Sequence, residues 1–219
     1  MLTKVSVLVP TRGRVERLRK LIESFEQTHN GVAQMVFRVD EDDPDTRDYL
    51  FERCFPQALS PYRVVVGPRL EGYRSLPRFF NQMLSVATGD VLMCGNDDMV
   101  FRTAGWPALI LNAANRYPDG LFDLGMATHN ETHYPFSVVS RAAVNAMGFL
   151  WDPRIFWGDI FLRDVMAHFG RCEMLPHVQV DHEWAGFPYD VLHHDPVYWS
   201  ETHPQAVQDA ITKLQVLRG

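Results

Sequence analysis

Two groups of acidic side chains have the types and spacing needed to bind a cation. Residues 40–43 read Asp-Glu-Asp-Asp and follow an apolar run at 35–39. Residues 96–98 read Asn-Asp-Asp and follow an apolar run at 91–94. Carboxylate oxygens are the preferred ligands of hard divalent cations such as Mg²⁺ and Mn²⁺. Bringing both groups together would be unfavourable without neutralising positive charge, so their convergence would favour a divalent cation between them.

The elements that position these groups alternate between strands and helices. Four apolar runs in the first hundred residues predict strands, at 5–9, 35–39, 62–66 and 91–94. Apolar residues at helical spacing predict helices between them, over 15–25, 44–55 and 76–87. Such alternation is typical of a parallel sheet, whose strands all end at one edge. Both acidic groups and the loop at 10–14, which contains Arg12 and Arg14, are therefore expected at that edge.

The alternation loosens after residue 100. The sequence predicts helices near 106–115, 142–147, 160–169 and 204–217, and a strand at 136–140. No linker rich in Gly, Pro or Ser divides the 219 residues. We therefore expect one α/β domain with two halves, 1–100 and 101–219.

Composition and missing motifs exclude several classes of protein. The net charge of −6 gives no support for a nucleic-acid binder, and no run is long enough for a membrane span. The chain lacks the glycine-rich dinucleotide and P-loop motifs, the zinc-protease motif and the serine-hydrolase motif. The three cysteines are far apart, which does not fit a paired-cysteine zinc site or a disulfide framework. With no signal peptide visible, we expect a cytoplasmic protein.

The first half resembles a known enzyme family. Residues 5–11 read Val-Ser-Val-Leu-Val-Pro-Thr, and Asn81 is followed in register by Gly89-Asp90, an apolar strand and the acidic turn at 96–98. This pattern resembles GT-A-type glycosyltransferases, in particular the family 2-like nucleotide-diphospho-sugar transferases. The stretch 97–106 is similar to small soluble members from bacteria and bacteriophages. The resemblance implies a Rossmann-like GT-A domain with a mostly parallel central sheet, in which 1–100 binds the nucleotide sugar and 101–219 binds the acceptor.

The resemblance also assigns binding roles. It implies that Asp98, assisted by Asp97 and by His182 after an apolar run in the second half, holds Mn²⁺ or Mg²⁺. The donor-binding residues that it implies are Pro10, Thr11, Arg12, Arg14, Asp40, Arg78, Asn81 and Asp97. Asp43, which precedes Pro44, is instead expected to cap the helix that follows.

The resemblance places a general base at Asp159, which follows Trp157-Gly158 at the start of a predicted helix. Asp164 and Glu183 are rival candidates, and a helix cap is the structural alternative for Asp159. Four aromatic side chains are candidates for stacking on a sugar or base, or for core packing: Trp151, Trp157, Trp184 and Tyr189.

The expected activity is metal-dependent transfer of a sugar, from a UDP-sugar in the first instance, to an acceptor hydroxyl with inversion. The acceptor could be a cell-envelope glycan, a small molecule or a hydroxymethylated pyrimidine in phage DNA. Two departures from the family pattern keep alternatives open: Asn96 stands at the first acidic position, and Arg78 lies three residues before Asn81 instead of next to it. A catalytically inactive nucleotide- or sugar-binding module is one alternative. A sugar-phosphate nucleotidyltransferase is the other, although residues 11–14 are poor in Gly and Lys for that class.

Overall fold

Strands and helices alternate through the first half of the chain, as the apolar spacing predicts. The computed structural model describes residues 1–54, 61–70, 72–129, 136–183 and 201–218. The strands are β1 (Val5–Thr11), β2 (Ala33–Asp40), β3 (Tyr62–Gly67), β4 (Val91–Cys94), β5 (Met99–Phe101), β6 (Asp123–Ala127), β7 (Val138–Ser140) and β8 (Cys172–His182). The helices are α1 (Val15–Thr28), α2 (Pro44–Cys54), α3 (Leu76–Met83), α4 (Trp106–Ala114), α5 (Arg141–Met147), α6 (Gly158–His168) and α7 (His203–Leu214).

The strands form one sheet in the order β3-β2-β1-β4-β7-β6-β8-β5. Strands β3, β2, β1 and β4 are mutually parallel, with Leu8 opposite both Val36 and Cys94. Strand β7 is antiparallel to its neighbours β4 and β6, whereas β6 and β8 are parallel. The α/β class with a mostly parallel central sheet is thus confirmed, and the reversal at β7 separates the predicted donor half from the second half.

Helices cover both faces of the sheet because the strand side chains alternate between them. In β1, Val5, Val7 and Val9 belong to one buried cluster, which includes the apolar face of α1. Leu8, between them, belongs to a second cluster that includes residues of α3, α5, α6 and α7. The central strands are therefore apolar on both faces, and polar side chains collect where the strands end.

An irregularity in β8 links the two halves of the sheet. Met126 pairs with Leu175, but the next residue of β6, Ala127, pairs with Gln179, so residues 176–178 are extra. Beyond this bulge β8 runs antiparallel to β5, and His182 lies opposite Met99. The backbone N–H of Glu183 then donates to the carbonyl of Asp98 at 2.8 Å. The bulge thus carries the end of β8 to the turn that contains Asp97 and Asp98.

Three details differ from the sequence predictions. The helix predicted over 76–87 ends at Met83, four residues short of its predicted end. The strand predicted from residue 136 starts at Val138. Strands β5 and β6 were not predicted, because runs of three and five residues carry little periodicity. Among the helices that the structure describes, none is long and apolar enough to cross a bilayer.

Candidate functional site

Polar loops meet at the carboxyl ends of β1, β2 and β4, which we call the carboxyl edge (residues 10–14, 40–43 and 96–98). Thr11 Oγ1 donates a hydrogen bond to Asp97 Oδ2 at 2.9 Å, and Arg14 pairs with Asp97 Oδ1 at 2.9 Å. The loop after β1 and the turn after β4 are therefore in direct contact, as the parallel topology predicts. Asp97 has both carboxylate oxygens engaged by this loop.

Asp98 lies between two different partners. Arg17 donates to its Oδ2 at 3.3 Å, and His182 Nε2 lies 3.3 Å from its Oδ1. The Asp98 side chain is 6% exposed and that of His182 is 10% exposed. Asp98 Oδ1 is buried and accepts no well-aligned hydrogen bond from the described residues. An aspartate oxygen and an imidazole nitrogen thus face each other across a distance suited to two ligands of one cation.

The pKa values of the adjacent carboxyl groups of Asp97 and Asp98 are shifted in opposite directions. Burial raises the pKa of Asp97, and its contacts with Arg14 and Thr11 offset this only in part. Burial acts on Asp98 as well, but His182, Arg14 and Arg17 outweigh it and lower the pKa of Asp98. Of the two, Asp98 is therefore the carboxyl group whose surroundings favour the ionised form, which is the form that binds a metal ion.

A row of basic side chains on α1 neutralises the carboxyl edge from one side. Arg14, just before α1, and Arg17 and Lys20 within it are spaced three residues apart, so they share one face of the helix. We call these three residues the α1 cation row. They pair with Asp97, Asp98 and Glu183 respectively, the last pair at 2.8 Å.

This row corrects the charge argument made from the sequence. The chain supplies its own positive charges to the acidic residues, so electroneutrality alone does not call for a metal ion. The apolar face of α1 predicts the helix, but Arg17 and Lys20 on its other side were not among the predicted site residues. Basic residues at positions 14, 17 and 20 were the signal that could have revealed them.

The arrangement fits a divalent ion held by two protein ligands. Among the described residues, no group of three or more His, Cys, Asp or Glu side chains has metal-binding geometry. The buried Asp98 Oδ1 and the neighbouring His182 Nε2 remain as a ligand pair of suitable chemistry. A hard cation bound there would need further oxygen ligands from a substrate or from water.

Asp40, at the end of β2, is held by two arginines. Arg12 pairs with Asp40 Oδ2 at 2.9 Å, and Arg38 pairs with Oδ1. Arg12 also pairs with Asp42, and this hydrogen bond lowers the pKa of Asp42. Pro10 lies opposite Arg38 in the β1–β2 register. Of the two arginines, Arg12 is the more exposed, at 38% of its side chain against 1% for Arg38.

Arg38 is a buried residue that the sequence analysis missed. Its side chain is 1% exposed, its Nε donates to Gln82 Oε1 at 3.1 Å, and its guanidinium lies 4.2 Å from the centre of the Phe79 ring. No local signal distinguishes an arginine inside a strand from a solvent-facing one. Arg38 thus connects Asp40, the last residue of β2, to Gln82 and Phe79 of α3.

Asp43 acts as the predicted cap of α2. Its Oδ1 accepts from the backbone N–H of Thr46 at 3.3 Å, and its Oδ2 accepts from the N–H of Gly13 at 2.7 Å. Gly13 has a φ of 63°, in the left-handed region that favours glycine. The cap therefore also holds the loop after β1 in its conformation.

Asn81 and Arg78 lie on α3 but are used differently. The Asn81 side-chain oxygen accepts from the N–H of Leu150 at 2.8 Å, and its Nδ2 donates to the carbonyl of Trp151 at 2.8 Å. The Asn81 amide thus holds the backbone at 150–151 in place. If Asn81 also contacts the nucleotide, it must do so while keeping these two hydrogen bonds. Arg78 is exposed.

Asp159 lies in the first turn of α6, which begins at Gly158 and has Trp157 at its N-cap position. Asp159 is therefore not the N-cap residue of α6, which was the structural alternative for this position. A Cβ at position 158 would overlap the indole ring of Trp151, so only glycine fits there. Burial raises the pKa of the Cys94 thiol, and the nearby charges of Asp123 and Asp159 add to the increase. The backbone of Asp159 lies near the end of β4, because Ser137 Oγ donates to the Asp159 carbonyl at 3.5 Å while the Ser137 carbonyl accepts from the Cys94 N–H at 2.9 Å.

The rival candidates have other partners. Asp164 Oδ2 lies 2.9 Å from His203 Nε2 and so links α6 to α7. Glu183 lies beside the carboxyl edge, where its backbone N–H donates to Asp98 and its side chain pairs with Lys20. Trp151 is buried, and its ring centre lies 4.3 Å from that of Phe80. Trp184 and Tyr189 lie outside the described residues.

Comparisons with known proteins identify the fold. No family model and no curated protein matches this chain. Among solved structures, the mannosyltransferase PcManGT from Pyrobaculum calidifontis, in complex with GDP-Man and Mn²⁺, matches with a TM-score of 0.66 at 13% identity. That match covers 100% of this chain and 76% of PcManGT. TarS from S. aureus (residues 1–349, in complex with UDP) matches with a TM-score of 0.62 at 12% identity, over 98% of this chain and 65% of that one.

A further TarS structure matches at 14% identity with a TM-score of 0.61, over 82% of this chain and 36% of that one. The chain therefore spans most of PcManGT but at most about two thirds of the TarS chains. At these identities the likeness shows the fold, and it confirms the expected GT-A-type architecture.

Proposed function

We propose that this protein is a glycosyltransferase that moves a sugar from a nucleoside diphosphate sugar to an acceptor hydroxyl with the help of Mn²⁺ or Mg²⁺. The observation that carries the proposal is the pairing of Asp98 Oδ1 with His182 Nε2 at the carboxyl edge. These residues are 84 positions apart in the sequence, and the β8 bulge brings them together. In open α/β sheets, ligands bind beyond the carboxyl ends of the strands, where this pair lies.

The donor would lie along the carboxyl edge. A divalent ion at Asp98 and His182 would supply positive charge to the leaving diphosphate. Arg14 and Arg17 lie beside the same carboxylates and would face the phosphates. Pro10, Thr11 and the loop that follows them would border the nucleoside.

The nucleoside would be recognised around Asp40. Both Asp40 oxygens are already paired with arginines, so a base or ribose would use the remaining lone pairs or displace Arg12. Arg12 is the more exposed partner and is therefore the side chain that can move toward a ligand. PcManGT was solved with GDP-Man and TarS with UDP, so both nucleotides are reasonable probes, with a UDP-sugar as our first choice.

Asp159 is the proposed general base. In a single displacement, the acceptor oxygen would bond to the sugar carbon as the bond from that carbon to the diphosphate oxygen breaks, and the acceptor proton would pass to Asp159. This gives inversion at the sugar carbon. The position of Asp159 in the first turn of α6, linked through Ser137 to the end of β4, supports this role.

A binding module without transfer activity is the second candidate. It is favoured by Asn96 in place of the first acidic residue, and by the engagement of Asp97 with Arg14 and Thr11. Such a module would bind the nucleotide and metal but would not turn over a donor. Hydrolysis of UDP- and GDP-sugars with Mn²⁺, measured by nucleotide release, separates the two candidates.

Calorimetry tests the metal and nucleotide site directly. UDP or GDP should bind the wild-type chain with Mn²⁺, and EDTA or Asp98→Asn should weaken that binding at least tenfold. Asp48→Asn removes the same charge from an exposed pair with Arg47 and should leave binding unchanged. Equal nucleotide affinity in wild type, in EDTA and in Asp98→Asn would refute the metal assignment.

A further inference from the structure

Arg17 occupies one oxygen of the carboxylate to which we assign the metal. Its guanidinium lies 3.3 Å from Asp98 Oδ2, while the ligand pair uses Oδ1 and His182. Asp98 is 6% exposed and Arg17 is 31% exposed, so the pair is partly shielded from water. A cation that binds Asp98 must therefore approach a carboxylate whose charge is already compensated.

For electrostatic reasons, we expect a divalent ion alone, or a diphosphate alone, to bind this site weakly. A divalent ion at Oδ1 is repelled by the guanidinium on Oδ2, because like charges at this range interact strongly near a protein surface. A diphosphate without a cation finds Arg14, Arg17 and Lys20 already paired with Asp97, Asp98 and Glu183, so it must compete with these carboxylates for the basic side chains. When both arrive together, the diphosphate offers Arg17 a new anionic partner and the metal takes the carboxylate.

We propose that Arg17 is the internal counter-ion of Asp98 and that it couples divalent-ion binding to diphosphate binding. It pairs with Asp98 while the site is empty and turns to the diphosphate when the ion takes Asp98. This inference rests on the proposed function and extends it, because it assigns a positioning role to a residue outside the metal ligand pair. Coupling of this kind is reciprocal: each ligand tightens the other by the same factor.

The test measures Mn²⁺ binding by electron paramagnetic resonance, in which free Mn²⁺ gives the signal, without UDP or GDP and then with each. In the wild-type chain, we expect saturating nucleotide to tighten Mn²⁺ binding by a factor of about 10 or more. In Arg17→Gln, Mn²⁺ alone should bind about tenfold more tightly, and the factor gained from nucleotide should fall by about tenfold.

Arg19→Gln is the matched control. Arg19 lies on the same helix, is half exposed and pairs with Glu16 at 3.5 Å instead of with the carboxyl edge. Its loss should change neither Mn²⁺ affinity nor the coupling factor by more than about twofold. Arg17→Lys keeps the charge and should keep most of the coupling. Arg17→Met, a second neutral variant with good helix propensity, gives the same test if Arg17→Gln does not fold.

The results distinguish failure of the proposed function from failure of the role proposed for Arg17. If neither UDP nor GDP binds the wild-type chain with Mn²⁺, the proposed function is wrong. If a nucleotide binds with Mn²⁺ but the neutral Arg17 variants behave like Arg19→Gln, or bind Mn²⁺ alone more weakly than wild type, the proposed function stands and the role of Arg17 is overturned.

Discussion

The carboxyl edge and the start of α6 hold their candidate residues by different forces. At the carboxyl edge, Asp97 and Asp98 are fixed by ion pairs and hydrogen bonds to the α1 cation row and to Thr11. At the start of α6, Asp159 follows a glycine packed under the Trp151 ring. The first region should therefore respond to changes of charge, and the second to changes of volume.

The largest expected effect is on turnover. Asp159→Asn keeps the shape of the start of α6 but removes the proposed base, so turnover should fall by about 10²–10⁴-fold with little change in donor affinity. Steady-state kinetics and calorimetry of the donor nucleotide give the two values. Asp164→Asn, on the same helix, should keep its turnover. The reverse pattern would move the base to Asp164.

The next effect concerns Arg38, the buried arginine that pairs with Asp40 of the carboxyl edge. Arg38→Met should lower the free energy of unfolding by about 3–5 kcal/mol, because it leaves the buried Asp40 without one of its two cations. Urea denaturation measures the loss. Arg47→Met breaks an exposed pair with Asp48 and should cost less than about 1 kcal/mol. Similar costs for both variants would show that charge burial does not stabilise this edge.

The packing at the start of α6 is tested by Gly158→Ala. The added methyl group overlaps the Trp151 ring, so we expect a loss of about 3 kcal/mol in the free energy of unfolding. In a Trp151→Ala background, the same substitution should cost well under 1 kcal/mol, since the obstacle is gone. Additive losses in this double-mutant cycle would mean that the two residues do not interact.

The mildest perturbation is thiol labelling, which reports on the burial of the three cysteines, including Cys94 beside the carboxyl edge. Burial raises the pKa of Cys54 to about 12, and it raises the pKa of Cys94 at the end of β4 as well. Because a raised thiol pKa lowers the thiolate fraction, neither should react at pH 8. Cys172 at the start of β8 is exposed and should react. One labelled thiol, with almost no change in stability, is the expected result, and more than one by mass spectrometry would contradict it.

The parallel half of the fold was predictable because its signal is local. Strands β1, β2 and β4 are runs buried along almost their whole length, and α1 shows its apolar residues at helical spacing. The convergence of Thr11, Asp40 and Asp97 then followed from topology alone. Asp43 was assigned correctly because a cap is defined by its own sequence neighbours.

The remaining features depend on contacts between distant residues. The burial of Arg38 is set by Gln82 and Phe79, more than 40 positions away, and periodicity within β2 carries no trace of them. The engagement of Asn81 with Leu150 and Trp151 is equally remote in sequence. His182 was identified only through the family resemblance, since its place depends on the bulge in β8 and on pairing with the short strand β5.

The β8 bulge makes the site depend on chain length more than on residue identity. Side chains alternate along a strand, so deleting one of residues 176–178 would turn His182 to the opposite face of the sheet. Deleting two would restore the face but displace the imidazole by about 6–7 Å along the strand. Substitutions within 176–178 leave the residue count intact, whereas insertions and deletions there would separate His182 from Asp98. Homologues that share this site are therefore expected to keep the number of residues here, with variation at the exposed positions 176 and 177 and an apolar residue at the buried position 178.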